Sequence, residues 1–531
     1  MSSQTGLQSD PLRSARQNSS GATQSSSSRH PGDGSAFEAT FRDPAGQLQL
    51  TATHALRRIY PRALEETRAF LASPLRKALE RSGDLIATEI VQGPDLSAQA
   101  LSAQAGELWL RHPRIDPISY PWEWTTAQWR AAAELTLRLA GQAIGAGWTL
   151  KDATPLNILF NGARPVLVDV LSFERRDPHS SVWLAYGQFV RTFLLPLVAE
   201  KLLSWPLQAT LFARDGYEPR TIYDALGPLQ RLNPSLLDVV TLATLFEEGS
   251  GKGGKPKAQR KPSNTDPELA AHILHKRIAR LEKQIAGAAR AETNSRWSGY
   301  QQAAAHYRPA DTEEKKRFVA AALDRCHPTR VLDIGANTGT YSLLAAEAGA
   351  EVVALDNDAA AIEALWRTAF KQNKPITALV ANIARPTPAA GWRNREQLSL
   401  LDRLTEPDRL TGKFDLVLML AVIHHLILRE QLPLAHIAGL CATLTRRWLV
   451  LEWVPPADPM FQEWLRGRDD LYGSLSEDDL HQAFAPFFHV ADRIELGNHR
   501  VLFLLERNQV FESDAAASPN ALSQNEGTSP S

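Results

Sequence analysis

Two acids and two glycines near the middle of the chain have the types and spacing to hold a small nucleoside-bearing ligand. They lie in Arg330 to Asp358, RVLDIGANTGTYSLLAAEAGAEVVALDND. Gly335 and Gly339 bracket a turn in which backbone can come close to a ligand. Asp333 precedes that turn. Asp356 follows it by about 20 residues, the spacing at which an acid holds a ribose hydroxyl. The middle position of the turn is Asn337. A dinucleotide site wants glycine there, so that backbone can reach a pyrophosphate. A side chain at that position points to a ligand without one.

Three other groups could do chemistry. His424 and His425 are adjacent, and histidine is the side chain poised near neutral pH to take a proton from a hydroxyl. Neighbours in a regular chain should not both face one site, so His424 is the base candidate and Glu452 the second. No metal is expected, because no third ligand stands at suitable spacing from the pair. Asp152 and Asn157 form D-x-x-x-x-N, with Asp169 beyond. Taken alone, that set can organise turns and end a strand.

The elements that must position these residues follow from the pattern. Val331 to Ile334 reads as a buried strand, Tyr341 to Ala348 as a helix, and Glu351 to Leu355 as the next strand. Ala359 to Phe370 is helical. Ile376 to Val380 is a third strand delivering Asn382. Phe414 to Leu420 is a fourth, delivering His424. Trp448 to Trp453 is a fifth, carrying Glu452, and Phe487 to Ile494 with Arg500 to Leu505 form a final antiparallel pair. Upstream, Leu64 to Arg81 and Thr125 to Gly145 read as helices, and Leu85 to Val91 as a strand. Asn161-Gly162 joins two β runs as a hairpin. Val182 to Leu203 reads as two apolar helices broken near Pro196. Asp266-Pro267 caps a helix striped by Leu274, Ile278, Leu281 and Ile285, which should join two domains or serve a homodimer. Lys315 and Lys316 could approach a bound ligand's carboxylate, but a solvated helix face is the plainer reading.

DIGANTGTYS resembles motif I of the class I S-adenosylmethionine (SAM)-dependent methyltransferases. The resemblance implies SAM as cofactor. Asp333, Gly335, Asn337 and Gly339 would hold its methionine part, Asp356 its ribose and Asn382 its adenine. It also implies a Rossmann-like α/β fold, mostly parallel with an antiparallel last strand. Asp152, Asn157 and Asp169 resemble the catalytic loop and metal-binding acid of kinase-like phosphotransferases, which implies an α+β kinase-like domain and Mg-ATP. No Gly-rich loop precedes them, and no strand lysine for the phosphates can be assigned. The pairing of LKDATPLNILFNGARPVLVDVLSFE with GANTGTYS and AVIHHL is similar to a bacterial group of two-domain SAM-dependent methyltransferases, some related to nodulation-factor modification proteins.

Composition bounds the rest. The chain has 531 residues, net charge −1 and two cysteines, Cys326 and Cys441. That excludes a disulfide framework and fits a reducing cytosol. No global field recruits nucleic acid, and no secretory signal or membrane span is read. The expected layout is a disordered Ser-rich tail (1–36), a kinase-like domain (37–248), a flexible basic linker (249–265), a connecting helix (266–290), the methyltransferase domain (291–508) and a disordered tail (509–531). The function expected is methyl transfer to a hydroxyl of a glycan or small metabolite. The alternatives are ATP-dependent phosphotransfer, or a first domain that only recruits.

Overall fold

A computed structural model describes residues 37–40, 43–91, 108–249, 265–289, 309–406, 412–465 and 472–508. The two terminal tails, the basic linker, and Trp297, Tyr300 and Tyr307 ahead of the glycine turn lie outside these residues.

The first half begins with five strands: β1 (Phe37–Thr40), β2 (Gly46–Leu50), β3 (His54–Ile59), β4 (Glu89–Val91) and β5 (Leu108–Pro113). They form an antiparallel sheet in the order β1-β2-β3-β5-β4. Between β3 and β4 run α1 (Leu64–Ala72) and α2 (Pro74–Ser82), the expected helix split where Ser73 caps α2 by accepting from Arg76 N. The strand expected from Leu85 begins only at Glu89, because Leu85 instead bridges Leu167.

Helix α3 (Thr126–Gly145) starts where its sequence says it should. Thr125 and Gln128 form a reciprocal capping box. β6 (Trp148–Leu150) pairs with β9 (Phe173–Arg175), and the Asn-Gly turn closes the hairpin of β7 (Ile158–Asn161) and β8 (Arg164–Leu167). β8 stops short of Asp169, which caps a 3₁₀ turn. Helix α4 runs from Tyr186 to Leu203 without the expected break. Its turns widen to π geometry at Val190–Leu194, and Pro196 falls in the first turn of the segment beyond. A widened turn is one way a helix absorbs a proline's missing N–H. Helix α5 (Pro267–Ala288) buries Leu274, Ile278, Leu281 and Ile285 within this chain, and its Gln284 donates to Ser235 O at 2.8 Å.

The second half holds α6 (Pro309–Cys326), β10 (Arg330–Ile334), α7 (Thr340–Glu347), β11 (Glu351–Asp356), α8 (Ala359–Gln372) and β12 (Ile376–Val380). It continues through α9 (Leu400–Leu404), β13 (Phe414–Met419), α10 (Ile423–Leu428), α11 (Leu434–Leu444), β14 (Thr445–Trp453), β15 (Phe488–Glu495) and β16 (Val501–Arg507). The seven strands order as β12-β11-β10-β13-β14-β16-β15, parallel from β12 to β14, with β16 antiparallel to both neighbours. The parallel strands are largely apolar on both faces, as a covered parallel sheet requires. Leu332, Ile334 and Val417 pack under α10 and α11. Val331, Leu416 and Val450 join a core that continues into the first half. The order reverses between β10 and β13, and ligands bind at the carboxyl ends of strands at such a switch.

Candidate cofactor and acceptor site

A cavity of about 380 Å³ opens at that switch point, within the usual range for small-molecule sites. β10 brings Asp333 and Gly335 to it, β11 Asp356, the end of β12 Asn382, and β13 with α10 Ala421, His424 and His425. Helix α6 closes one side with Thr312, Lys315 and Lys316.

The turn after β10 is shaped as a cradle. Gly335 has φ +76, and a Cβ there would lie 2.2 Å from Val422 Cγ2. Gly339 has φ +84, and its Cβ would lie 2.1 Å from Leu365 Cδ1. Asn337 takes φ +50, a left-handed geometry that asparagine tolerates. Its N–H donates to Asp356 Oδ2 at 2.9 Å, and Asp358 N–H donates to Oδ1 at 2.9 Å. Asp356 is thereby fixed with lone pairs left for a diol. Gly339 does not line the cavity; its role is to let α7 start against α8.

Asp333 is 2 % exposed and accepts from Ser342 Oγ at 2.6 Å. Burial pushes its carboxyl up to about 6, against the pull of the Ser342 hydrogen bond, and the Asp356 charge adds to the rise. Burial also raises Asp356. A buried and a half-buried carboxylate under-supplied with positive charge suit a ligand that carries an ammonium, and SAM meets that test. An ammonium docked on Asp333 would compete with a proton there. A pKa raised in the folded protein means the free site keeps its proton below about pH 6. On that docking, SAM affinity should be full well above pH 6 and fall below it, approaching ~10-fold per unit. Calorimetric titration across pH 5 to 7 reads this.

Lys315 is not solvated. It is 6 % exposed, ion-pairs with Glu452 and stands 5.2 Å from the Tyr341 ring centroid. Glu452 is fully buried behind the cavity wall, between Lys315 and Arg500, whose Nη1 lies 3.3 Å from it; Arg500 Nε donates to Asp458 at 2.7 Å. Held by two cations away from the lining, Glu452 is not presented as a base.

Both histidines line the cavity, against the expectation that one must turn away. Ala421 leaves β13 with φ +55, an uncommon and costly conformation for alanine. It starts α10 at once, so its first turn points into the space. The rings tilt against each other at 4.1 Å. His424 is 3 % exposed, and its Nδ1 has no partner among the described residues. Burial holds His424 well below the ordinary imidazole range, with His425, Arg500 and Lys315 adding to it; burial also lowers His425 to about 4, with Arg429 and Arg500 adding. Both rings are neutral at physiological pH.

The second cluster sits where the five-stranded sheet meets the helices. Arg57 on β3 pairs with Asp169, Nη1 to Oδ1 at 2.7 Å, and lies 3.7 Å from Asp43. Ser172 Oγ donates to Asp169 Oδ2 at 2.8 Å and accepts from Asn157 Nδ2 at 3.1 Å. Burial, then the Asp169 charge, raises Asp152. The three expected residues do converge. Arg57, 112 positions from Asp169, is a strand cation that the sequence did not reveal.

The family described as "Methyltransferase domain" matches residues 332–443. The nodulation protein NoeA of Rhizobium meliloti (strain 1021) is 27% identical over 483 residues, 88% of this chain and 96% of that protein. Among solved structures, magnesium protoporphyrin IX methyltransferase from Synechocystis PCC 6803 with bound SAH is 18% identical over 37% of this chain and 84% of its own, with TM-score 0.27. The bifunctional kinase-methyltransferase WbdD is 19% identical over 39% of this chain and 41% of its own, with TM-score 0.29.

Proposed function

We propose that this chain, a class I SAM-dependent methyltransferase, methylates an oxygen acceptor held between α6 and α10, a hydroxyl of a glycan or small metabolite. The observation that carries the acceptor reading is the buried, unpartnered Nδ1 of His424 on the cavity wall. A buried polar atom without a partner is costly, and an acceptor hydroxyl would supply the missing donor. Bound SAM brings an electrophilic methyl on a sulfonium.

In this reading Asp333 holds the amino end of the cofactor, Asp356 the ribose and Asn382 the adenine edge. Lys315, tied to Glu452, sets the position of α6 over the cavity. His424 accepts the hydroxyl's hydrogen bond and aims its oxygen. Burial keeps the imidazole neutral and able to accept; it also makes it a weak base, so aiming is the larger part of its work. His424→Asn should lower methyl transfer ~100-fold, the low end for a positioned acid–base group, with SAM affinity within twofold. A single-turnover assay on labelled SAM checks this, and an unchanged rate would remove His424 from the chemistry.

The element order of the first half supports a kinase-like domain: a five-stranded sheet with helices between β3 and β4, a long helix, the Asp152–Asn157 loop and Asp169. Its state is better read as recruiting than as phosphotransfer. Arg57 supplies the positive charge at Asp169 that a metal would bring, and Ser172 engages both Asp169 and Asn157. Mg-ATP should leave the melting temperature unchanged. A stabilisation that Asp169→Ala abolishes would establish a live nucleotide site.

A further inference from the structure

β12 is an edge strand. One side is bonded to β11 from Ile376 to Val380, and among the described residues no strand pairs its other side. Such an edge leaves backbone groups open. Here one is closed from the first half of the chain: Gln128 Nε2, on α3, donates to Ala378 O at 3.0 Å, and Gln128 is 1 % exposed. The capping box fixes that side chain, because its Oε1 accepts from Thr125 N at 3.0 Å. Around it, α3 and α8 are joined by Ala127 N–H donating to Glu363 at 3.0 Å, and Trp366 Nε1 donates to Ala163 O at 3.0 Å.

The chain leaving β12 enters the cavity wall as Asn382 and Ile383 and then runs to α9. Its far end is clamped by the same first half. Leu398 N–H donates to the Tyr120 hydroxyl at 3.0 Å, and Arg214 donates to Gln397 at 2.9 Å. Arg403 on α9 makes a buried pair with Glu123, Nη1 to Oε2 at 3.0 Å. Its near end is tied to the cavity rim, where Arg385 donates to Glu430 at 2.9 Å and Glu430 lines the cavity. One wall of the cofactor cavity is thus strung between two contacts made by the first half.

We infer that Gln128 and Glu123 are positioning residues of the cofactor site, acting through β12 and the 383–404 segment, so that the first half of the chain completes that site. This rests on the reading of the cavity as a SAM site. The alternative is that these contacts only stabilise the fold, and the two roles separate experimentally. A buried charge left alone is destabilising, whereas replacing both members of a pair by apolar groups is often neutral.

The test uses the full chain and measures S-adenosylhomocysteine binding by calorimetry, well below the melting transition, beside the melting temperature. Gln128→Leu should weaken binding ~10-fold, within the usual range of intersite coupling. Glu123→Gln should weaken binding and lower the melting temperature. Glu123→Leu combined with Arg403→Met should recover the melting temperature without recovering the affinity. Wild-type affinity in Gln128→Leu, or recovery of both quantities in the double variant, overturns the inference. A wild-type protein that does not bind S-adenosylhomocysteine overturns the cofactor reading as well, which sets that failure apart.

Discussion

Asp356→Ala should lose SAM binding by ~100-fold or more. The side chain is fixed by two backbone donors, Asn337 N–H and Asp358 N–H, and in the bound state it would take two more from a ribose diol. Hydrogen bonds to a charged group contribute about 1.5–3 kcal/mol each, and every ~1.4 kcal/mol is tenfold. The variant also frees the Asn337 N–H and so loosens the turn between Gly335 and Gly339. Asp356→Asn keeps the shape but offers only one acceptor oxygen, and should fall between the two. Equilibrium dialysis with labelled SAM gives all three affinities. An unchanged affinity in the alanine variant would remove the ribose assignment.

Arg500→Met should cost the second half about 3–5 kcal/mol, the range for breaking a buried pair from one side. Arg500 is 1 % exposed and touches both Glu452 and Asp458. Its loss removes the guanidinium that both Asp458 and Glu452 contact. Urea unfolding monitored by circular dichroism measures the loss. Arg500→Met with Asp458→Asn should return part of it, since one uncompensated charge goes with the other. The effect reaches the cavity because Lys315, which lines it, takes its position from Glu452. A single variant as stable as the wild type would mean that water, rather than Arg500, carries these carboxylates.

The cofactor side of the site was legible because its signals are local. A strand of apolar residues, two glycines at φ values that a Cβ would strain, and an acid at fixed spacing all lie within Arg330 to Asp358. The capping residue Asp266 and the Asn161-Gly162 turn were legible for the same reason. The opposite wall was legible only at His424. Lys315 sits in the run EEKKR, which has the composition of a solvated face, and its burial is decided by Glu452, 137 residues away. The two histidines share a wall only because Ala421 adopts a left-handed backbone, and alanine gives no notice of that. Gln128 and Ala378 are 250 positions apart. Contacts of that separation leave no periodicity or spacing to read, which is why the bond from α3 to β12 could not be foreseen.

The most direct measurement is transfer of labelled methyl from SAM into fractions of a cell extract, comparing the wild-type chain with Asp356→Ala. The account predicts label in one fraction with the wild type, independent of added Mg-ATP, and none above background with the variant. Equal labelling by both proteins, or label appearing only when Mg-ATP is supplied, would contradict it.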